Sequence, residues 1–400
     1  MKVLVITNRV PYPSNDGGNI ATMQMLESML HCGFEVKLLS LNTVKHFVDT
    51  SKLPDVFKTL SLETTTLNTA VKLSGAILNL FSNKSYNAIR FYCDDFRDLI
   101  IQTIQEQKYD IVHFENVYSA IYLDYIKPYT EAKFVLRTHN VEYEIWERAA
   151  LEEGFLKRLY IQTLAKSLKR YEIQIWEKCH AIIPITAIDE AIIKPYIENT
   201  TPSLTLPTAI DVRNIQIDTN NKGDHNIYHL GSMNWIPNQQ AMEWFMQYVW
   251  PPVELATKAH FYMAGRDMPD QFYDYQSERV HIIGEVDNAS EFIRGKQIMV
   301  VPLFAGSGVR IKILEGMAAA KTIITTSLGV QGIEAFDQEQ VLIANNAKSF
   351  TEALIWCLKN ERKCVELGKK ARTLMEEKYS IENFELLLKQ FYLKLTQTQN

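Results

Sequence analysis

Arg310, Lys312 and Glu315 are the charged side chains whose spacing most plainly suits chemistry, and they follow the glycine-bearing loop Gly306-Ser307-Gly308-Val309. An apolar strand over 297–304 leads into this loop; a helix is predicted over about 309–320 and a second strand over 322–327. Glycines where a strand meets a helix let a ligand come close to the backbone, and the helix start adds unpaired N–H groups and a positive dipole end. Cations in a first helical turn oppose that dipole, so Arg310 and Lys312 gain nothing locally and an outside anion accounts for them. Glu315, one turn on, can accept two hydrogen bonds from a vicinal diol. Two cations for a diphosphate and one carboxylate for a ribose describe a nucleotide-sugar site. The plain alternative is a turned corner with solvated cations, and a short GxG beside charge does not exclude it by itself.

The elements that must position these groups lie in a chain long enough for two domains. It has 400 residues, 46% hydrophobic and 22% charged, an ordinary globular composition. A formal charge of −5 and a pI near 6.0 offer no global reason to expect nucleic acid as a partner. Five scattered cysteines without CxxC spacing indicate neither a disulfide framework nor a zinc site. The opening MKVLVITNRVPYP reads as a first core strand rather than a signal peptide, and no apolar run has bilayer-spanning length.

Along the chain, a Val/Ile-rich strand (2–6), the loop TNRVPYPSNDGG, a helix closed by Gly33 and a strand (34–39) form a βαβ opening. The loop has Gly17-Gly18 but no GxGxxG, and the second strand ends in Ser-Leu-Asn without an acid for a ribose, so an oxidoreductase reading loses its support. From 44 to 108 the pattern is less regular, with helices expected over 69–81 and 96–107; the run VKLSGAILNLF within it is either core or a face for lipid. Strands over 110–115 (DIVHFE) and 133–140 (KFVLRTHN) end in polar residues, and ligands gather beyond strand ends in open α/β sheets. His113, Glu115, His139, Asn140 and Glu142 are therefore candidates, with the standing alternative that His113 is a satisfied core histidine. A helical run over 142–178 presents charges that read as a solvated face. Strands over 181–185 and 204–207, a polar stretch at 214–226, and strands over 227–230, 261–264, 281–283 and 341–344 follow, with helices to the end. Gly231 and Ser232 are expected to place backbone donors at a helix start.

The stretch Val300 to Glu334, with its Gly-Ser-Gly-x-Arg-x-Lys-x-x-Glu pattern, resembles the donor-binding core of family 4 retaining glycosyltransferases, which have the GT-B fold. The resemblance implies an α/β protein of two Rossmann-like domains facing a central cleft, with a C-terminal helix crossing back to the first. It places an acceptor-side domain at 1–212, a linker at 213–226, a donor domain at 227–378 and the returning helix at 379–400. Glu315 matches a ribose-binding glutamate; eight positions earlier the family's first glutamate is replaced by Ser307. Gly17 and Gly18 match a glycine loop that touches donor phosphates or acceptor, and the segment 284–287, with Gly284 and Val286, matches a nucleobase contact. Glu115 stands where many relatives have the second His of a His-x-His, and Thr-His-Asn-Val-Glu resembles a recurring HN-x-E strand end.

A sugar leaving a diphosphate builds negative charge on the departing oxygen, where fixed cations act. Arg310 and Lys312, with the N–H groups of Gly308 and Val309, are assigned that role; Glu115 and His139 complete the expected catalytic set. Gly231, Ser232, Ser307 and Glu315 are expected donor contacts. The reaction expected from the resemblance is transfer with retention to a carbohydrate or lipid-linked acceptor; a silent sugar-nucleotide-binding subunit and a sugar-nucleotide epimerase are the alternatives. No metal ligand set is seen at zinc or magnesium spacing, and no cofactor is expected beyond the nucleotide-diphosphate sugar as co-substrate. The expected location is the cytoplasm, with the inner face of the membrane as the place for any peripheral contact.

Overall fold

The computed structural model describes residues 1–14, 16–70, 85–151, 153–217, 226–306 and 308–397. Ser307 and the run VKLSGAILNLF lie outside these residues, as does most of the polar stretch at 214–226. Contacts divide the chain into two units, one of Met1–Thr208 with the chain from Phe384 onward, the other Ala209–Asn383. Val212–Ile215 is held to the second unit by Arg372, which donates to the carbonyls of Val212 and Ile215, each at 2.9 Å.

The first unit is built on six parallel strands: β1 (Lys2–Thr7), β2 (Glu35–Thr43), β3 (Glu63–Leu67), β4 (Ile111–Phe114), β5 (Lys133–Thr138) and β6 (Ala181–Pro184). Their order in the sheet is β3-β2-β1-β4-β5-β6. Val3 to Ile6, Ile111 to Phe114 and Ala181 to Pro184 are buried along their whole length, because helices cover both faces of a parallel sheet. The β3 strand falls in the stretch whose pattern was irregular; its ETTTL sequence alternates no apolar residues and pairs by backbone with β2. Leu204–Pro207, expected as a strand, is an extended flank of β6, with N–H groups of Leu204 and Leu206 bonded to the Ile182 and Pro184 carbonyls. The chain's final helix, Ile381–Gln397, packs within this unit from Phe384 on: Tyr392 stacks on Phe34 with ring centroids 5.8 Å apart, and Glu385 accepts from His31 at 2.8 Å.

The second unit repeats the design with β7 (Asn226–Leu230), β8 (His260–Ala264), β9 (Val280–Gly284), β10 (Ile298–Val301), β11 (Thr322–Thr325) and β12 (Leu342–Ile343), in the order β12-β11-β10-β7-β8-β9. Counted from its first strand, this is the same Rossmann order as in the first unit. Two six-stranded parallel sheets in an α/β chain are the architecture of the GT-B fold. In each unit the strand order reverses beside the first strand, between β1 and β4 and between β7 and β10. Crevices at the C-terminal ends of those pairs are where such sheets take ligands.

The β7 and β8 ends close on each other through glycine. Gly231 donates to the Ala264 carbonyl at 3.1 Å, and a β-carbon on Gly265 would sit 1.8 Å from the Gly231 carbonyl oxygen. Gly265→Ala must push these strand ends apart, and about 1–3 kcal/mol of destabilisation is expected for such overpacking. Calorimetry should show the loss as a lowered unfolding temperature.

Candidate functional site

In the second unit the site grows from the loop after β10. The helix there runs Ile311–Ala318, two residues later than the sequence pattern suggests, with Arg310 in the extended N-cap position. Arg310 is thus not in the first turn. The reason is local: Gly306 and Gly308 have φ of +106° and +80°, and the backbone carries these left-handed turns before it can enter the helix. Arg310 is buried, its Nη1 donates to the Gly308 carbonyl at 2.6 Å, and its guanidinium lies 5.5 Å from the centre of the Trp235 ring. A β-carbon on Gly306 would meet that indole at 2.7 Å, so glycine here makes room for the ring that holds the arginine.

Lys312 reaches back to the end of β7. Its Nζ donates to Asn238 Oδ1 at 2.8 Å and lies 3.5 Å from His229 Nε2. Asn238 is turned for this by its own bond to the Ser232 carbonyl at 2.8 Å. His229 faces the Val300 carbonyl through Nδ1 at 2.9 Å and is fully buried, which holds its pKa well below the usual range. The imidazole is therefore neutral, with an Nε2 lone pair toward the ammonium. Among the described residues Lys312 has no carboxylate partner. Burial first, and the Arg310 charge second, pull its pKa down to about 7. A β-carbon on Gly231 would come within 2.8 Å of Lys312 Nζ, so Gly231 serves as the space into which the ammonium fits.

One expected placement is corrected. Gly231 and Ser232 do not open a helix; the helix Ile236–Trp244 begins after Trp235, and the Gly231 N–H is already bonded to Ala264. Five loop residues intervene because Met233 is drawn to the Arg266 carbonyl at 2.7 Å before Pro237 starts the turn. Gly284 ends β9 with φ of +74°, its carbonyl accepting from Gly265 at 2.8 Å, and Val286 is half-buried beyond it. Gly308 carries the carbonyl that Arg310 binds; Val309 is half-buried, and Glu315 is exposed on the helix. His229, Trp235 and Asn238 were not singled out by the sequence pattern. The signal for His229 is a polar residue interrupting the buried run of β7.

In the first unit a cavity of about 450 Å³ lies at the C-terminal ends of β1 and β4. Its walls include Asn8, Arg9, Gly18, Arg90, Asn116, Tyr118, His139, Asn140 and Glu142. Gly17 and Gly18 are the first residues of the helix Gly17–His31, capped by Asp16, whose carboxylate accepts from the Asn19 N–H at 3.0 Å and from Arg9 at 2.7 Å. Glu142 opens the helix Glu142–Leu151 and accepts from the Tyr118 hydroxyl at 2.9 Å; burial raises its carboxyl.

Glu115 and His113 lie behind this cavity, not in it. Glu115 accepts from His113 Nε2 at 2.5 Å and His139 Nε2 at 2.9 Å, with Arg137 Nη1 at 3.6 Å. His113 Nδ1 is 2.7 Å from the Tyr392 hydroxyl. Burial opposes ionisation of Glu115, but Arg137 and the two imidazoles outweigh it and hold the carboxyl well below the usual carboxylate range. With its Nε2–H given to Glu115, His139 turns Nδ1 toward Gly18 at the cavity wall. Glu115 is a positioning residue for His139. One further correction concerns the charges of 142–178: Glu172 is fully buried, accepting from the N–H groups of Glu142 and Tyr143 at 3.0 and 2.8 Å. It caps the preceding helix, Glu142–Leu151, from thirty residues away, a pairing only the fold creates.

Residues 224–360 match the family model of the glycosyl transferases group 1. That match lies within the second unit. Along most of its length the chain is 22% identical to an "uncharacterized 44.6 kDa protein in cps region" of Klebsiella pneumoniae, over 94% of this chain and 96% of that one. Sucrose-phosphate synthase of Thermosynechococcus elongatus superposes with a TM-score of 0.70 at 15% identity, each chain covered completely. Anabaena HepE, solved in complex with UDP, superposes with a TM-score of 0.64 at 11% identity, over 98% of this chain and 100% of that one. These structural likenesses show the fold of the two units. Among the described residues, no helix is long and apolar enough to cross a membrane.

Removing the charge of Glu115 strands Arg137 in the core. Glu115→Gln is expected to destabilise the protein by about 3–5 kcal/mol at neutral pH, the usual cost of breaking a buried ion pair from one side. Urea unfolding measures it. Because the folded-state pKa is depressed, the parent's advantage is complete above the ordinary carboxylate range and fades as pH falls below it.

Proposed function

We propose that the protein is a glycosyltransferase that moves a sugar from a nucleotide-diphosphate sugar to an acceptor, with retention of anomeric configuration. The observation that carries the reading is Lys312: an ammonium half-buried at the switch point of the second sheet, beside Arg310 and without a carboxylate among the described residues. Such a charge is costly until an anion arrives. The group 1 domain match over the same residues and the UDP complex of the HepE neighbour support a nucleoside diphosphate as that anion.

In this reading Lys312 and Arg310 bind the diphosphate, and Glu315 takes the ribose hydroxyls. The bond from the sugar's anomeric carbon to the diphosphate oxygen breaks as the acceptor oxygen bonds to the same face. The acceptor's proton passes to the departing diphosphate oxygen, so no side-chain base is required. Charge growing on the leaving oxygen meets cations already in place, which lowers the barrier without reorganisation. His139, oriented by Glu115, contributes Nδ1 as a polar contact in the first unit, where Asn140 and Glu142 complete the acceptor side. The cps-region relative supports a surface-polysaccharide or lipid-linked acceptor.

Arg310→Ala is expected to lose about 10²–10³ in turnover while the protein stays folded, the scale for one group that stabilises transition-state charge. Incubation with a panel of nucleotide sugars and analysis of products tests the reading. Epimerised donor, or tight binding with neither hydrolysis nor transfer, would replace transfer by another activity on the same site.

The Lys312 titration gives a second test. Free protein holds the lysine near pH 7, whereas a bound diphosphate restores its proton. Affinity for UDP should therefore fall by up to about tenfold per pH unit above 7, with proton uptake on binding at pH 8. Calorimetry in buffers of different ionisation enthalpy measures that uptake, and Lys312→Met should abolish it.

A further inference from the structure

Two strand ends on the first unit's cavity carry hydroxyls that bond to nothing among the described residues. Thr7 closes β1 and Thr43 closes β2, the two strands pair side by side, and both threonines line the cavity. They are 3% and 2% exposed, and neither side-chain oxygen has a hydrogen-bond partner. Buried hydroxyls are ordinarily satisfied, because an unmade hydrogen bond away from water carries the full cost of desolvation. Two such groups on one cavity mark a place shaped for a polar ligand.

Charge collects beside Thr43. Beyond β2 the chain turns at once through Val44–His46, which sets Lys45 and His46 on the cavity wall, and Arg9 joins them from beyond β1. Partial desolvation first, then the charges of Arg9 and Lys45, lower the His46 pKa while Asp16 raises it, so these side chains share one corner and the imidazole is neutral there. Arg9 is paired with Asp16 at 2.7 Å. Lys45 has no carboxylate partner among the described residues. Arg90 also lines the cavity, and its charge acts on the buried Glu142 carboxyl of the same wall. With those two set against each other, one positive charge is left over, at Lys45.

That excess selects among ligands. A single carboxylate matches one surplus ammonium, whereas a diphosphate brings more negative charge than this wall can offset. The Thr43 hydroxyl, two residues before Lys45, is a ready donor to the same anion. Asn8 and Asn140 add amides to the wall, and Thr7 adds its free hydroxyl, groups suited to the hydroxyls of a sugar ring. At about 450 Å³ the cavity has the size of a small-ligand site.

We propose that the acceptor ends in an acidic sugar, its carboxylate held by Lys45 and Thr43 beyond β2 and one of its hydroxyls by Thr7. This deepens the proposed transfer and rests on it for the role of acceptor, but its test needs neither donor nor turnover. Full-length protein is titrated by calorimetry with the methyl glycosides of glucuronic, galacturonic and mannuronic acid, with those of the matching neutral hexoses, and with inorganic pyrophosphate. At least one uronate should bind about tenfold or more tightly than its neutral hexose, and the difference should shrink with added salt. Lys45→Met should remove that difference and Thr43→Val should reduce it about threefold or more, while UDP binding and unfolding temperature stay at parental values. Acidic and neutral sugars bound alike, no uronate bound, or a preference that survives Lys45→Met would overturn the inference. So would pyrophosphate binding that Lys45→Met removes while no uronate binds, since the corner would then serve a diphosphate. Failure of the transfer reading shows separately, as a parent protein that does not bind UDP.

Discussion

An ammonium half shielded from water and, among the described residues, left without a counter-charge is costly to keep, and much of the second unit's local structure places Lys312 in that condition. Asn238 and the neutral His229 orient it without neutralising it. Arg310 adds a second positive charge rather than relieving the first. Gly231 clears the space for the ammonium, Gly265 lets the β7 and β8 ends meet behind it, and Gly306 admits Trp235 against Arg310. Each of these residues would be a weak choice for stability alone.

The first unit handles charge in the opposite manner. Glu115 is more deeply buried than Lys312, yet two imidazoles and a guanidinium surround it, and His113 passes the network on to Tyr392 of the final helix. A satisfied buried network specifies geometry, whereas an unsatisfied one stores affinity. The contrast separates the two sites by role. Glu115 and His113 hold His139 in place from behind, and the polar wall of the cavity is left to His139, Asn140, Glu142 and Tyr118.

Much of the fold was legible because its periodicities are local. Buried parallel strands read as Val/Ile runs, helices as three-to-four-residue spacing, and glycines marked where strands turned over. What failed was local in a different sense. The ETTTL strand has no apolar signal because it sits at the sheet edge, where backbone pairing with β2 suffices. The helix after β10 starts late because two left-handed glycines come first.

From the order of residues alone, the two α/β halves, the cations after the tenth strand and the glycines around them follow, since each depends on neighbours within a few positions. Only the folded chain decided that Lys312 would reach His229 and Asn238, that Glu172 would cap a helix begun thirty residues earlier, and that Glu115 would be buried against His139. Those outcomes rest on contacts between residues far apart in the chain. A side chain's charge is written in the sequence, whereas its counter-charge and its exposure to water are set by whatever the fold brings beside it.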